Sequence, residues 1–366
     1  MSDVAVASSP FAHQGTSVTG VMFQVCLALV PCTLFGMYLF GWPAINLFLV
    51  TCLAALVTEA LCLWVLNQPV YRLLDGSALL TGWLIAITLP PWAPWWVGVV
   101  GSFFAIAVGK QLYGGIGQNV FNPAMLARTA LLITFPVQMT SWILPAPLGS
   151  EAAPGFLQSL AITFANGAVP DGLTGATSLG VLKTSLTLDK SAADVVGEHF
   201  SFWQSVIGKT PGSMGETSEL AVLLGGLWLV WRRIISWQIP FAFLASLGIL
   251  SAVTGFANEE HFAGALFHLS SGGILLGAFF IATDPITSPV GSIAKLIFGA
   301  GCGMVVFVIR AWGGFPEAVA FSVLFMNAFN PLIERYCRPR VYGRLPGGKP
   351  LRTMTSIELT REVKRK

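Results

Sequence analysis

The chain has 366 residues, 54% of them hydrophobic and only 10% charged, and carries a net charge of +3. Soluble domains carry about 25% charge, so these values exclude an ordinary soluble protein and point to an integral membrane protein. Six cysteines without a Cys-x-x-Cys pair and four scattered histidines argue against a disulfide framework and give no local zinc or iron–sulfur signature.

A helix needs about 20 apolar residues to cross the hydrocarbon layer. In chain order the sequence predicts spans near 20–40, 44–66, 78–90, 93–112, 124–144, 219–232, 237–255, 263–282, 292–312 and 316–333. The expected fold class is therefore all-α integral membrane with about ten transmembrane helices. Because 78–90 and 219–232 are short, eight spans plus two re-entrant segments stands as the alternative. Residues 1–17 lack a basic leader, so the first apolar run is expected to be a retained span. Four regions follow: membrane helices over 1–144, a long polar loop over 145–218, a second membrane set over 219–333, and a basic tail over 334–366.

With ten spans both termini share one side. Most of the 20 Lys and Arg then fall on that side, among them Arg72, Lys110, Arg128, Arg232, Arg233, Lys295 and those of the tail. The positive-inside rule puts that side in the cytoplasm and the 145–218 loop outside, in the periplasm of a bacterium. Lys110, Lys295 and Arg310 lie near span ends and are expected to snorkel to the interface.

An internal echo is present. Gly82, Thr88, Pro90 and Pro94 recur at the same spacing as Gly277, Thr283, Pro285 and Pro289. Each copy leads to a basic residue followed by an aromatic and two glycines: Lys110 with Tyr113-Gly114-Gly115, and Arg310 with Trp312-Gly313-Gly314. The matched spans are five apart, which predicts two inverted five-helix repeats with a functional site between them.

Three features could carry chemistry. The first is Asp171-Gly172-Leu173-Thr174-Gly175-Ala176-Thr177, a turn-forming stretch whose two threonine hydroxyls flank residues too small to shield them. An ordinary loop explains it, and so does a site of covalent modification. The second is the glycine-rich run 208–218, where Gly212, Ser213, Gly215 and Thr217 precede a helix start. Such a run either caps the helix or cradles a phosphate on free backbone N–H groups. The third is a pair of acids within or beside spans, Glu59 and Asp284, candidates for an ion path because a carboxylate in a membrane needs a partner or a cavity. No metal site and no catalytic residue is expected.

These motifs together resemble a known family. Asp171–Thr177 is similar to the Asp-x-x-Ser/Thr-Gly-Ala-Thr signature on which a flavin transferase attaches FMN through its phosphate. Pro211-Gly-Ser-Met-Gly-Glu-Thr-Ser218, Phe121-Asn-Pro-Ala-Met125 and Phe135-Pro136 through Trp142 resemble further stretches of the RnfD/NqrB flavoprotein subunits, in the same order. The resemblance covers nearly the whole chain, and the short N-terminal arm is more like RnfD.

It implies covalent FMN on Thr177, with Asp171, Thr174, Gly175 and Ala176 as the recognition sequence, and a second, non-covalent riboflavin with unassigned ligands. The implied role is electron transfer within an Rnf-type complex of the inner membrane, coupling ferredoxin and NAD chemistry to ion translocation. The implied partners are subunits A, B, C, E and G and membrane lipid, with no nucleic acid. Two alternatives stand beside this: a solute transporter or channel on the same repeat, and an NqrB-type subunit acting on quinone.

Overall fold

The structure, a computed structural model, describes residues 17–165, 167, 172–188 and 190–337. Asp171 and most of the basic tail lie outside the described residues. Within them the chain is helical, and the β-type pairing is one isolated bridge between Ile143 and Thr174.

Helix α1 runs over Val18–Val65, joining the first two expected spans with no loop. Its break is Gly41, whose φ of 69° lies in the left-handed region that glycine reaches without strain. Next come α2 (Ser77–Thr88), α3 (Trp95–Phe103, extended by a π-turn over Phe104–Val108), α4 (Pro123–Thr134) and α5 (Pro136–Thr140). The single span expected over 124–144 is thus cut at Pro136, which cannot donate the backbone hydrogen bond that would continue α4.

The polar interval is not a bare loop. It forms α6 (Phe156–Phe164), α7 (Ser178–Thr187), α8 (Ala192–His199) and α9 (Phe202–Ile207). The last set comprises α10 (Glu219–Trp231), α11 (Gln238–Ala257), α12 (Ala265–Leu269), α13 (Ile274–Leu276, extended by a π-turn over Gly277–Ile281), α14 (Ser292–Trp312) and α15 (Val319–Tyr336). The span expected over 263–282 is interrupted by Ser270–Gly273, where Gly272 takes a φ of 71°.

Among the described residues, four segments are long and apolar enough to cross a membrane: Val18–Val65, Trp95–Tyr113, Gln238–Ala257 and Ser292–Trp312. Shorter apolar helices over Ser77–Thr88, Pro123–Thr134 and Glu219–Trp231 pack among them. The outer faces carry Leu34, Leu53 and Trp64 of α1 and Phe241, Val253 and Phe256 of α11, all exposed. That surface suits a lipid solvent, in which helices satisfy their own backbone groups. Between α11 and α14, Gly299 and Gly303 let the backbones meet closely, beside Ile239 and Phe243, the small-residue crossing common in membrane bundles.

Candidate functional site

The stretch 172–177 is extended and tied down before it turns into α7. Leu144 N–H donates to the Leu173 carbonyl at 2.7 Å, and Gly175 N–H donates to that of Trp142 at 3.1 Å. Gly175 sits so close to Leu144 that a methyl group there would meet its side chain at 2.8 Å. Thr177 then acts as N-cap, its hydroxyl accepting from Gly180 N–H at 3.1 Å. The two threonines part company here. Thr174 and Ala176 are exposed, whereas Thr177 is half-buried and lines a cleft of about 520 Å³.

The run 208–218 forms another wall of that cleft, through Thr210, Pro211 and Glu216, with Glu219 beside them. None of Gly212, Ser213, Gly215 and Thr217 lines it. Their groups serve mainly to plug the segment into the bundle. Gly215 N–H donates to the Ile87 carbonyl at 2.7 Å, and the Thr217 hydroxyl donates to that of Met214 at 2.8 Å. Met214 is fully buried against Gly36 of α1. Ser218, as the capping alternative expects, accepts from Ala221 N–H at 3.2 Å and starts α10. Ser213 keeps a buried hydroxyl with no partner.

The cleft also has a charged margin that the sequence did not announce. Arg128 of α4 donates to the Thr88 carbonyl and to Glu317, with Glu216 at 4.0 Å. It is therefore buried inside the bundle rather than set in a cytoplasmic loop. Glu216 lies outside the membrane helices. Burial first, and then the nearby Glu317 carboxylate, push its carboxyl up to about 7, against the pull of Arg128.

Beneath Ser270, Ser271 and Gly272 lies Arg310 of α14, also buried rather than snorkelling. It donates to the carbonyls of His268 at 2.8 Å and Ser271 at 2.7 Å. Its Nε and the Ser271 hydroxyl have no partner. Lys183 of α7 reaches the end of α14, donating to the carbonyls of Ile309 at 3.1 Å and Phe315 at 3.0 Å. Burial, and then Arg310, lower its pKa.

Glu59 and Asp284 lie away from this cleft. Glu59 accepts from Lys110 at 2.8 Å and from Gln111 at 2.7 Å, and Lys110 also donates to the Ser77 hydroxyl at 2.6 Å. Lys110 is only 3% exposed, so it too is held inside instead of snorkelling. The second carboxylate oxygen of Glu59 has no partner. Asp284 caps the turn after α13, accepting from Ile286 N–H at 3.3 Å and the Thr287 hydroxyl at 3.1 Å. It borders a second, mainly apolar cleft of about 750 Å³ shared with Lys110, Asn119 and Asn122.

The chain is similar to proteins named as the D subunit of an ion-translocating oxidoreductase complex. The one from Stutzerimonas stutzeri is 61% identical over 349 residues, 95% of this chain and 98% of that protein. That from Halorhodospira halophila is 49% identical over the same shares of both chains. That from Escherichia coli (strain SE11) is 41% identical over 354 residues, covering 93% of this chain and 99% of that protein. A family match spans residues 5–343, and the chain belongs to the NQR2, RnfD, RnfE family.

Proposed function

We propose that this protein is the flavin-carrying D-type subunit of an Rnf-type ion-translocating oxidoreductase complex, a part that does no complete reaction alone. FMN is held by a phosphoester on Thr177. The observation that carries the reading is the place of that hydroxyl: it starts a helix on the rim of a cleft walled by polar and charged side chains, Ser271, Glu216 and Glu317 among them. The residues present fit a linked flavin. A phosphate there meets the positive end of α7, and Ser271 offers an unused hydroxyl from the facing wall. Of the expected phosphate cradle, Gly212, Ser213, Gly215 and Thr217 stand back from the cleft, in the segment whose Thr210, Pro211 and Glu216 line it.

Bound FMN supplies a redox centre for electron transfer. The protein tethers it, orients it, and places Glu216 and Glu317 beside it, with Arg128 behind Glu317, so that these charges set its electrostatic environment. The riboflavin that the family resemblance implies would have the mainly apolar cleft beside Asp284 as its candidate place. What supports Glu59 and Asp284 as ion-path groups is placement: Asp284 borders that cleft, and Glu59 keeps an unpartnered carboxylate oxygen. The ten-span inverted arrangement, the inner-membrane location, cytoplasmic termini, the periplasmic position of the Thr177 cleft and the partner subunits A, B, C, E and G complete the proposal. The sequence echo and the basic residues other than the buried Lys110, Arg128 and Arg310 support the topology, and the relatives' names support the complex.

The test is in-gel fluorescence after denaturing electrophoresis of protein made with the flavin transferase. Wild type should give a flavin-fluorescent band, and Thr177→Ala none. A fluorescent Thr177→Ala band sinks the assignment. A colourless wild type that carries no flavin by mass spectrometry favours the transporter alternative.

A further inference from the structure

Lys110 and Arg310 hold echoing places in the sequence, each with an aromatic residue and two glycines just beyond it. Both reach toward the start of the helix that follows a left-handed glycine, Gly76 before α2 and Gly272 before α13. Their charge partners differ. Lys110 has the Glu59 carboxylate at 2.8 Å. Among the described residues no carboxylate lies within the 4.0 Å ion-pair distance of Arg310. It is 7% exposed, bonded to two neutral carbonyls, and its Nε is unused. A buried cation without an anion in direct contact is costly, and the nearest carboxylates, Glu317 and Glu216, act on Arg310 only from beyond ion-pair distance, so this side of the bundle has room for a further negative charge.

The structure shows where that anion belongs. A side chain at Gly272 would meet Leu179 of α7 at 2.9 Å and the Arg310 Nη2 atom at 3.0 Å, so the first turn of α7, Gly272 and Arg310 are stacked together. Thr177, two residues before Leu179, lines the same cleft as Ser271, which is 5% exposed and keeps a free hydroxyl. We infer that Arg310, with Ser271, is the counter-charge for a phosphodiester on Thr177. A diester carries one negative charge and two non-bridging oxygens, which matches one guanidinium and one hydroxyl donor. Glu317 and Glu216 also face this loop across Gly273, but Glu317 is paired with Arg128 and Glu216 lies 4.0 Å from it. Glu219 shares the cleft, and Lys183 adds a second positive charge behind Arg310.

This rests on the reading of Thr177 as the linked residue. A purely structural Arg310, tying α12 to α13 through two carbonyls, would stabilise the chain equally with or without the phosphodiester.

The experiment compares full-length protein made with and without the flavin transferase, as wild type, Arg310→Lys, Arg310→Gln and Ser271→Ala. Mass spectrometry of the Thr177 peptide reports attachment, and the melting temperature reports what attachment adds. In wild type, attachment should raise the melting temperature by several degrees. That increment should shrink in Ser271→Ala and Arg310→Lys and vanish in Arg310→Gln, with FMN still attached. A full increment in flavin-loaded Arg310→Gln overturns the inference. If that variant does not fold, unchanged increments in both Arg310→Lys and Ser271→Ala overturn it instead. Wild type without FMN on its Thr177 peptide removes the Thr177 reading itself, a different failure from an attached flavin that adds the same stability everywhere.

Discussion

Lys110 and Arg310 are both buried cations near the ends of long helices, yet one site is closed and the other open. Lys110 has a carboxylate, a serine and a place beside Gln111, so its charge is answered within the protein. Arg310 has two carbonyls and an idle Nε. A cation matched internally can fix a helix packing once and for all. One left partly unmatched beside a cleft keeps electrostatic capacity for a guest. Echoed sequence positions thus need not repeat a function, because the deciding residue, Glu59, sits on a different helix from the echo.

The sharpest way to break this contrast is to open the closed site. Glu59→Gln leaves Lys110 buried without its anion and should cost about 3–5 kcal/mol, read as a fall in thermal stability. Adding Lys110→Met should restore most of the loss; a double variant as unstable as the single would mean that the pair's charge is not what matters.

The cleft beside the open site should respond to mild acid. Glu216 keeps its proton up to about 7 when folded, and its ordinary value is 4.5. Between those values the unfolded chain ionises first, so stability falls as pH rises from 4.5 to 7 and then levels off. The full span is at most about 3 kcal/mol. Denaturation curves across that window should show the slope in wild type and a shallower one in Glu216→Gln.

The two left-handed glycines sharpen the comparison further. Gly76→Ala meets no atom closer than 3.4 Å, so its cost is the backbone strain, about 1 kcal/mol. Gly272→Ala adds the clash with Leu179 and Arg310 and should cost about 2 kcal/mol or more. Equal losses would show that the crowding around Arg310 relaxes freely. The smallest effect belongs to the cap. In protein made without the transferase, Thr177→Ala removes one hydrogen bond at the start of α7, about 1 kcal/mol by melting.

Much of the fold could be read from hydropathy, since long apolar runs such as 292–312 become helices over nearly the same residues. Breaks within runs were less legible. Ser270–Gly273 interrupts an apolar stretch whose flanking hydrophobic residues hide it, although the glycine pair was the available signal. Thr177 stands out as a candidate in the sequence because its local motif is distinctive. Arg128, Glu216, Glu317 and Arg310 were not, because their meaning lies in contacts between residues as far apart as 189 positions. Lys110 and Arg310 were read as snorkelling from their place near span ends. Burial beside polar partners overrules that reading, and only the three-dimensional packing reveals those partners.

The bridge between Ile143 and Thr174 bears on when the protein matures. Two backbone hydrogen bonds flank it, each worth roughly 0.5–1.5 kcal/mol net. Unzipping both costs about 1–3 kcal/mol, so the stretch before Thr177 peels away in only a minor fraction of molecules. An enzyme that must grip those residues as a free strand works on that small fraction, or on the newborn chain before Trp142–Leu144 has found its mate. Loading would then be quick during synthesis and slow on finished protein.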